Sequence, residues 1–219
     1  MRKFGVILAA VACLMLTAFA AQAATATPAE DMKGVIAINV GGGITVPSGA
    51  LADEGNNFGY KFKMGFDGVG GLDYFMTKEI GVGVDFGYGQ MKADLPSDVT
   101  GDLKAKTIQF GIHGKYLIPT GGPVVPYLQL GLAMYNRKIE ASEGSLSIDF
   151  SDTKPGINAG VGVGYKISDM IGIGVNGAYN YSIGKFEPEV FGTKTEMLKD
   201  WNFIAFNAGL TFNIKPAAK

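Results

Sequence analysis

An all-β fold, an eight-stranded antiparallel transmembrane β-barrel with short periplasmic turns and four longer external loops, is predicted by three features of the 219-residue sequence. Eight segments alternate larger apolar residues with small or polar ones at a period of two. The connections between them alternate short and long. The less apolar face is built mainly of Gly, Ala and Asn. The first feature reads as strands, because successive side chains of a strand point to opposite faces. The second is the plan of a barrel with tight turns at one end and loops at the other. The third decides against a soluble sandwich or calyx, whose water-facing side is dense in charged residues. Small and amide side chains suit the narrow interior of an eight-stranded barrel.

The chain opens with an export signal. Arg2 and Lys3 are basic, Phe4 to Ala20 is apolar, and Ala21-Gln22-Ala23 has the small-residue pattern of a cleavage site. Residues 1–23 are therefore expected to be removed, and Cys13, the single cysteine, goes with them. Residues 24–33 (ATATPAEDMK) read as a flexible leader, 34–214 as the barrel and 215–219 as a short tail.

The strands are expected at about 34–46, 64–75, 80–91, 104–118, 124–137, 154–167, 171–184 and 201–214. Each holds at least the roughly 9–11 residues that a tilted strand needs to cross a bilayer. In the sixth, Ile157, Ala159, Val161, Val163, Tyr165 and Ile167 oppose Asn158, Gly160, Gly162, Gly164 and Lys166. In the eighth, Ile204, Phe206, Leu210 and Phe212 oppose Asn207, Gly209, Thr211 and Asn213. The short connections are 77–79, 119–123 and 168–170. The long ones are about 47–59, 92–103, 138–153 and 185–200, with SLSIDF (145–150) either an extra strand or an extension of the sixth. Aromatic residues cluster near strand ends, as interfacial girdles require. Tyr74, Tyr116, Tyr165 and Phe212 are expected at the periplasmic rim, and Tyr88, Tyr179, Tyr181 and Trp201 at the outer rim; Tyr127 and Tyr135 fall in the inward phase.

Composition removes several functions. A net charge of −1 leaves no basic footprint for nucleic acid. One cysteine and one histidine cannot build a zinc centre, and no cofactor or metal is expected. A Ser–His mechanism has only His113 to use, within GIHGKYL, and its parity points into the lumen. The G-x-G strings precede no helix and are not phosphate loops.

Inward-phase polar residues form the candidate site: Asp67, Asp73, Asp85, His113, Lys115 and Lys166. Buried charges need partners, so Lys115 or Lys166 is expected to meet one of the aspartates in a lumen polar network. That network reads either as an ion-paired plug or as a gate, while the abundance of inward glycine leans toward some open volume. The external loops at 47–59 and 92–103 are acidic, with Asp53, Glu54, Asp94, Asp98 and Asp102.

The signal peptide, the eight runs, VPYLQLGLA at 125–133 and the last strand, IAFNAGLTFNI, resemble the small outer-membrane β-barrel superfamily, which includes the barrel of outer membrane protein A and outer membrane proteins X and W. The resemblance implies a bacterial outer-membrane location among lipid and lipopolysaccharide. It implies delivery by periplasmic chaperones to the barrel-assembly machinery, which reads the final strand; Phe206, Leu210 and Phe212 carry that pattern here. It implies a non-enzymatic role, either envelope-structural or a passive small-molecule porin, with surface binding through external loops as the alternative. A monomer is favoured.

Overall fold

A computed structural model describes residues 32–56, 58–96, 100–144, 146–190 and 193–215. The expected signal peptide, the leader up to residue 31, Asp98 and the tail beyond Lys215 lie outside the described residues.

The chain forms β1 (Ile36–Ser48), one 3-10 turn (Gly49–Ala52), β2 (Gly65–Phe75), β3 (Ile80–Lys92), β4 (Asp102–Leu117), β5 (Val124–Glu143), β6 (Leu146–Lys166), β7 (Ile171–Ser182), β8 (Glu189–Val190), β9 (Thr193–Lys194) and β10 (Trp201–Ile214). Eight of these close on themselves in the order β1-β10-β7-β6-β5-β4-β3-β2, every pair antiparallel. Residues β8 and β9 pair only with each other, as a small hairpin in the loop before β10. Closure leaves no unpaired edge in the membrane, where a free N–H or C=O has no water to satisfy it.

Parity sorts the side chains. Val82, Ile112, Leu130, Val161, Ile173 and Leu210 point outward and are among the exposed large apolar residues. Such a belt is stable only against lipid. Tyr74, Tyr116, Tyr165 and Phe212 lie on this face toward the turn end, and Tyr179 and Tyr181 toward the loop end.

Two sequence expectations need correction. Segment 138–153 is not a loop: β5 continues through it to Glu143, β6 begins at Leu146, and residues 146–150 of the SLSIDF run extend β6. Alternation persists there because the outward side chains pair. Glu140 lies 2.5 Å from Lys106 and 3.2 Å from Lys138, which also reaches Asp149 at 3.0 Å. The hydrogen bond from Lys106 and the second cation, Lys138, hold the Glu140 carboxyl below its ordinary range. Trp201 is also misplaced by the girdle reading. It shares parity with Phe203 and Ala205, so it points into the barrel and is fully buried.

The interior is therefore layered. At the turn end Val35, Ala37 and Phe75 form a small apolar cluster. The middle is polar. At the loop end a second apolar core gathers Met91, Ile139, Tyr135 and Trp201 from the strands with Leu51, Phe62, Phe186 and Leu198 from the loops.

Candidate functional site

The polar middle layer is built by three adjacent strands. Register aligns Asp73 of β2 with Gly83 of β3, and Gly83 with His113 of β4. All three positions face inward. Because Gly83 carries no side chain, Asp73 and His113 meet across it, with His113 Nε2 2.6 Å from Asp73 Oδ1. The other ring nitrogen, Nδ1, lies 2.8 Å from Asp85 Oδ1, two residues along β3. Lys115, two residues along β4, donates to Asp73 Oδ2 and stands over the Tyr127 ring at 5.1 Å. Asn39 donates to Asp73 and Gln109 to Asp85, at 2.9 and 2.8 Å.

Two aspartates thus share one imidazole and one ammonium. Both ring nitrogens face carboxylate oxygens, so satisfying both contacts takes two ring hydrogens or one carboxyl hydrogen. Wherever that proton sits, Asp73, Asp85, His113 and Lys115 together carry no net charge. Neutrality makes the cluster tolerable at the barrel's centre, where an unpaired charge is costly.

The structure brings together Asp73, Asp85, His113 and Lys115. It leaves two sequence-predicted residues outside. Lys166 is drawn to the turn-end rim, 2.9 Å from Asp169 in the β6–β7 turn. Asp67 lies farther toward the loop end and accepts one hydrogen bond, 3.1 Å from Asn207 Nδ2.

Inward glycines accommodate neighbouring side chains. A Cβ on Gly83 would stand 2.4 Å from Asp73 Oδ1 and 2.7 Å from His113 Nε2, and one on Gly162 would strike the Tyr127 ring at 2.3 Å. The open volume that glycine content leads one to expect is correspondingly small: a polar cavity of about 140 Å³ in the middle layer and a vestibule of about 190 Å³ at the turn end. Both border Lys115, Tyr127 and Thr211. Gly83→Ala is expected to push Asp73 and His113 apart and lower the barrel's unfolding temperature. Heat-modified gel mobility would show it, whereas Gly114→Ala, where an added Cβ meets nothing within 4 Å, should leave the temperature unchanged.

Sequence reasoning missed the residues that close the loop end. Arg137 of β5 is completely buried. Its Nε and Nη2 donate to the two oxygens of Asp152 at 2.7 and 2.5 Å, a bidentate pair. It also donates to the carbonyls of Gly184 and Lys185, at 3.2 and 2.8 Å. The guanidinium lies 5.5 Å from the Phe186 ring and 5.8 Å from that of Trp201. Trp201 Nε1 donates to Thr107 Oγ1 at 2.9 Å. One cation thereby ties the loop after β7 into the mouth of the barrel. Parity with Tyr135 and Ile139 was the available signal for Arg137.

A closed eight-stranded barrel with an apolar outer belt and a polar lumen defines a small transmembrane β-barrel of the outer-membrane type. The chain belongs to the outer membrane protein beta-barrel domain family, which it matches over residues 11–212. No curated protein sequence matches it. Among solved structures it is similar to Neisserial surface protein A, with 21% identity, a TM-score of 0.57 and coverage of 83% of this chain and 100% of that one. It is similar to the outer membrane protein OprG from Pseudomonas aeruginosa, at 14% identity, TM-score 0.56 and coverage of 84% and 97%. The attachment invasion locus protein Ail of Yersinia pestis, in complex with the heparin analogue sucrose octasulfate, follows at 17% identity, TM-score 0.51 and coverage of 83% and 99%. At these identities the likeness is one of fold.

Proposed function

We propose that this chain is a non-enzymatic, envelope-structural barrel of the bacterial outer membrane, closed to passive passage of solutes in its resting form. The supporting observation is the apolar core at the loop end, where Leu51, Phe62, Phe186 and Leu198 descend from the loops onto Trp201 and Ile139. A water-filled path would have to cross that core, and an eight-stranded barrel has little interior beyond its own side chains. The single histidine supports the non-enzymatic part of the reading: both its ring nitrogens are engaged by carboxylates, leaving neither to activate a nucleophile. In this reading the barrel is a monomer surrounded by lipid and lipopolysaccharide, and Phe206, Leu210 and Phe212 of β10 carry its assembly signal. Liposomes containing the refolded mature protein are expected to swell in a small neutral sugar no faster than empty liposomes. Rapid swelling would establish a porin instead.

A surface-binding role is the second reading, favoured by the height of the β5–β6 hairpin. Pairing of β6 with β7 begins at Gly156, so residues 146–155 rise beyond the β7 strand. Lys138 on its outer face and Lys106 on the adjoining β4 are paired with Glu140 and Asp149, so a protein partner fits this surface better than a polyanion such as heparin.

A further inference from the structure

We infer that the lumen binds one hard monovalent cation, of the sodium class, through the oxygens of Asp67, Asn207 and Thr45. In the central cluster two carboxyl groups are matched by one ammonium and one imidazole, and Arg137 is matched by Asp152. Asp67 remains. It faces the same polar cavity, and among the described residues it forms no ion pair; its one hydrogen bond comes from the neutral amide of Asn207. Asp67 is partly buried and its Oδ1 fully so, and a carboxylate placed there without a counter-charge is costly until a proton or a cation neutralises it.

The surroundings of Asp67 are rich in acceptors. Asn207 donates its Nδ2 hydrogen to Asp67 Oδ2, which turns its own Oδ1 away from that bond. Asn207 Oδ1, Asp67 Oδ1 and Thr45 Oγ1 are all buried and have no hydrogen-bond partner among the described residues. Thr45 is 1% exposed and Asn207 8%. The three side chains come from neighbouring strands. Asn207 and Asp67 are both in register with Gly43, which has no side chain to separate them. A Cβ placed on Gly89 would lie 3.7 Å from Asp67 Cβ and 4.0 Å from Thr45 Cγ2, so these two flank one recess floored by glycine.

Oxygen-only donors select hard cations, and the shortage of cysteine and histidine that excludes a zinc centre has no bearing on such a site. The charge selects valence: a monovalent ion neutralises Asp67, whereas a divalent ion would leave a buried excess positive charge. The adjoining cavity of about 140 Å³ has room for waters to complete the coordination.

The test uses the refolded mature barrel in neutral-headgroup lipid vesicles, with thermal unfolding followed by gel mobility. NaCl, KCl, CaCl2 and choline chloride are compared at equal ionic strength. An ion that binds only the folded barrel raises its unfolding temperature by mass action. The wild type is expected to unfold at a higher temperature in NaCl than in choline chloride, with a saturating dependence on sodium. Asp67→Asn, of the same shape, is expected to lose the sodium response and to unfold in choline chloride no lower than the wild type. Thr45→Val removes one oxygen without touching charge, and is expected to raise the half-saturating sodium concentration about tenfold. If Asp67→Asn does not fold, the Thr45→Val shift decides the matter. Equal wild-type temperatures in sodium and choline would overturn the site, as would an undiminished sodium response in Asp67→Asn. A response to calcium alone would overturn its monovalent character.

Discussion

Replacing Arg137 by methionine is expected to destabilise the barrel by about 3–5 kcal/mol, the range for breaking a buried pair by removing one partner. Methionine fills much of the stem's volume, so the loss is chiefly electrostatic. Asp152, whose side chain is 9% exposed, would retain only the backbone N–H of Glu187, 3.1 Å from Oδ2, among its present donors. The carbonyls of Gly184 and Lys185 would lose their donor, and the rings of Phe186 and Trp201 would lose the guanidinium beside them. Urea unfolding in lipid vesicles measures the effect. Removing the orphaned charge as well, in Arg137→Met/Asp152→Asn, should recover most of the loss. A double variant no more stable than the single one would mean that packing of the guanidinium, rather than its pairing, holds the loop.

The second large effect is expected at His113. His113→Leu leaves Asp73 and Asp85 facing each other with Lys115 as their single cation, and a cost of about 3–5 kcal/mol follows from the same buried-charge argument. The charge-balance account makes a sharper claim about the rescue. His113→Leu/Asp85→Asn restores neutrality, because Asp73 keeps Lys115, and it should be markedly more stable than His113→Leu. His113→Leu/Lys115→Met removes the remaining cation and should be the least stable of the three. Urea unfolding of the set, together with Asp85→Asn and Lys115→Met alone, completes two double-mutant cycles. Equal stabilities for both doubles would show that the four residues do not act as one electrostatic unit.

Much of this architecture was legible because parity is a local property. The run VGVDF at 82–86 places Asp85 opposite Val84 and Phe86, and IHGKY at 112–116 places His113 and Lys115 opposite Ile112, Gly114 and Tyr116. Knowing which aspartate meets which cation requires register between strands. The contact of Asp73 with His113 depends on the alignment of both with Gly83, set by two hairpins at once. Lys166 illustrates the limit: its parity was inward, but a local i,i+3 partner in the turn, Asp169, holds it at the rim.

The loop end was less legible for a different reason. Trp201 lies near a strand end, where an aromatic residue commonly marks a membrane interface, yet its phase with Phe203 directs it inward. Arg137 and Asp152 are neighbours in the β5–β6 register. That pairing was invisible while 138–153 was read as a loop, since its charges obscured the alternation that Ile139 and Phe150 maintain. Inward glycine had the opposite effect. It leaned toward an open lumen, whereas Gly83 and Gly162 make room for His113 and Tyr127.

The central claim is that the apolar core at the loop end, held by Arg137, closes this barrel. Single-channel recording in a planar bilayer tests it most directly, with the wild type beside Arg137→Met under conditions where gel mobility confirms that both are folded. Long silent traces are expected from the wild type, with discrete openings appearing in Arg137→Met as the loop after β7 loosens. Reproducible openings in the wild type, unaltered by the substitution, would contradict the claim and place the conducting path outside that core.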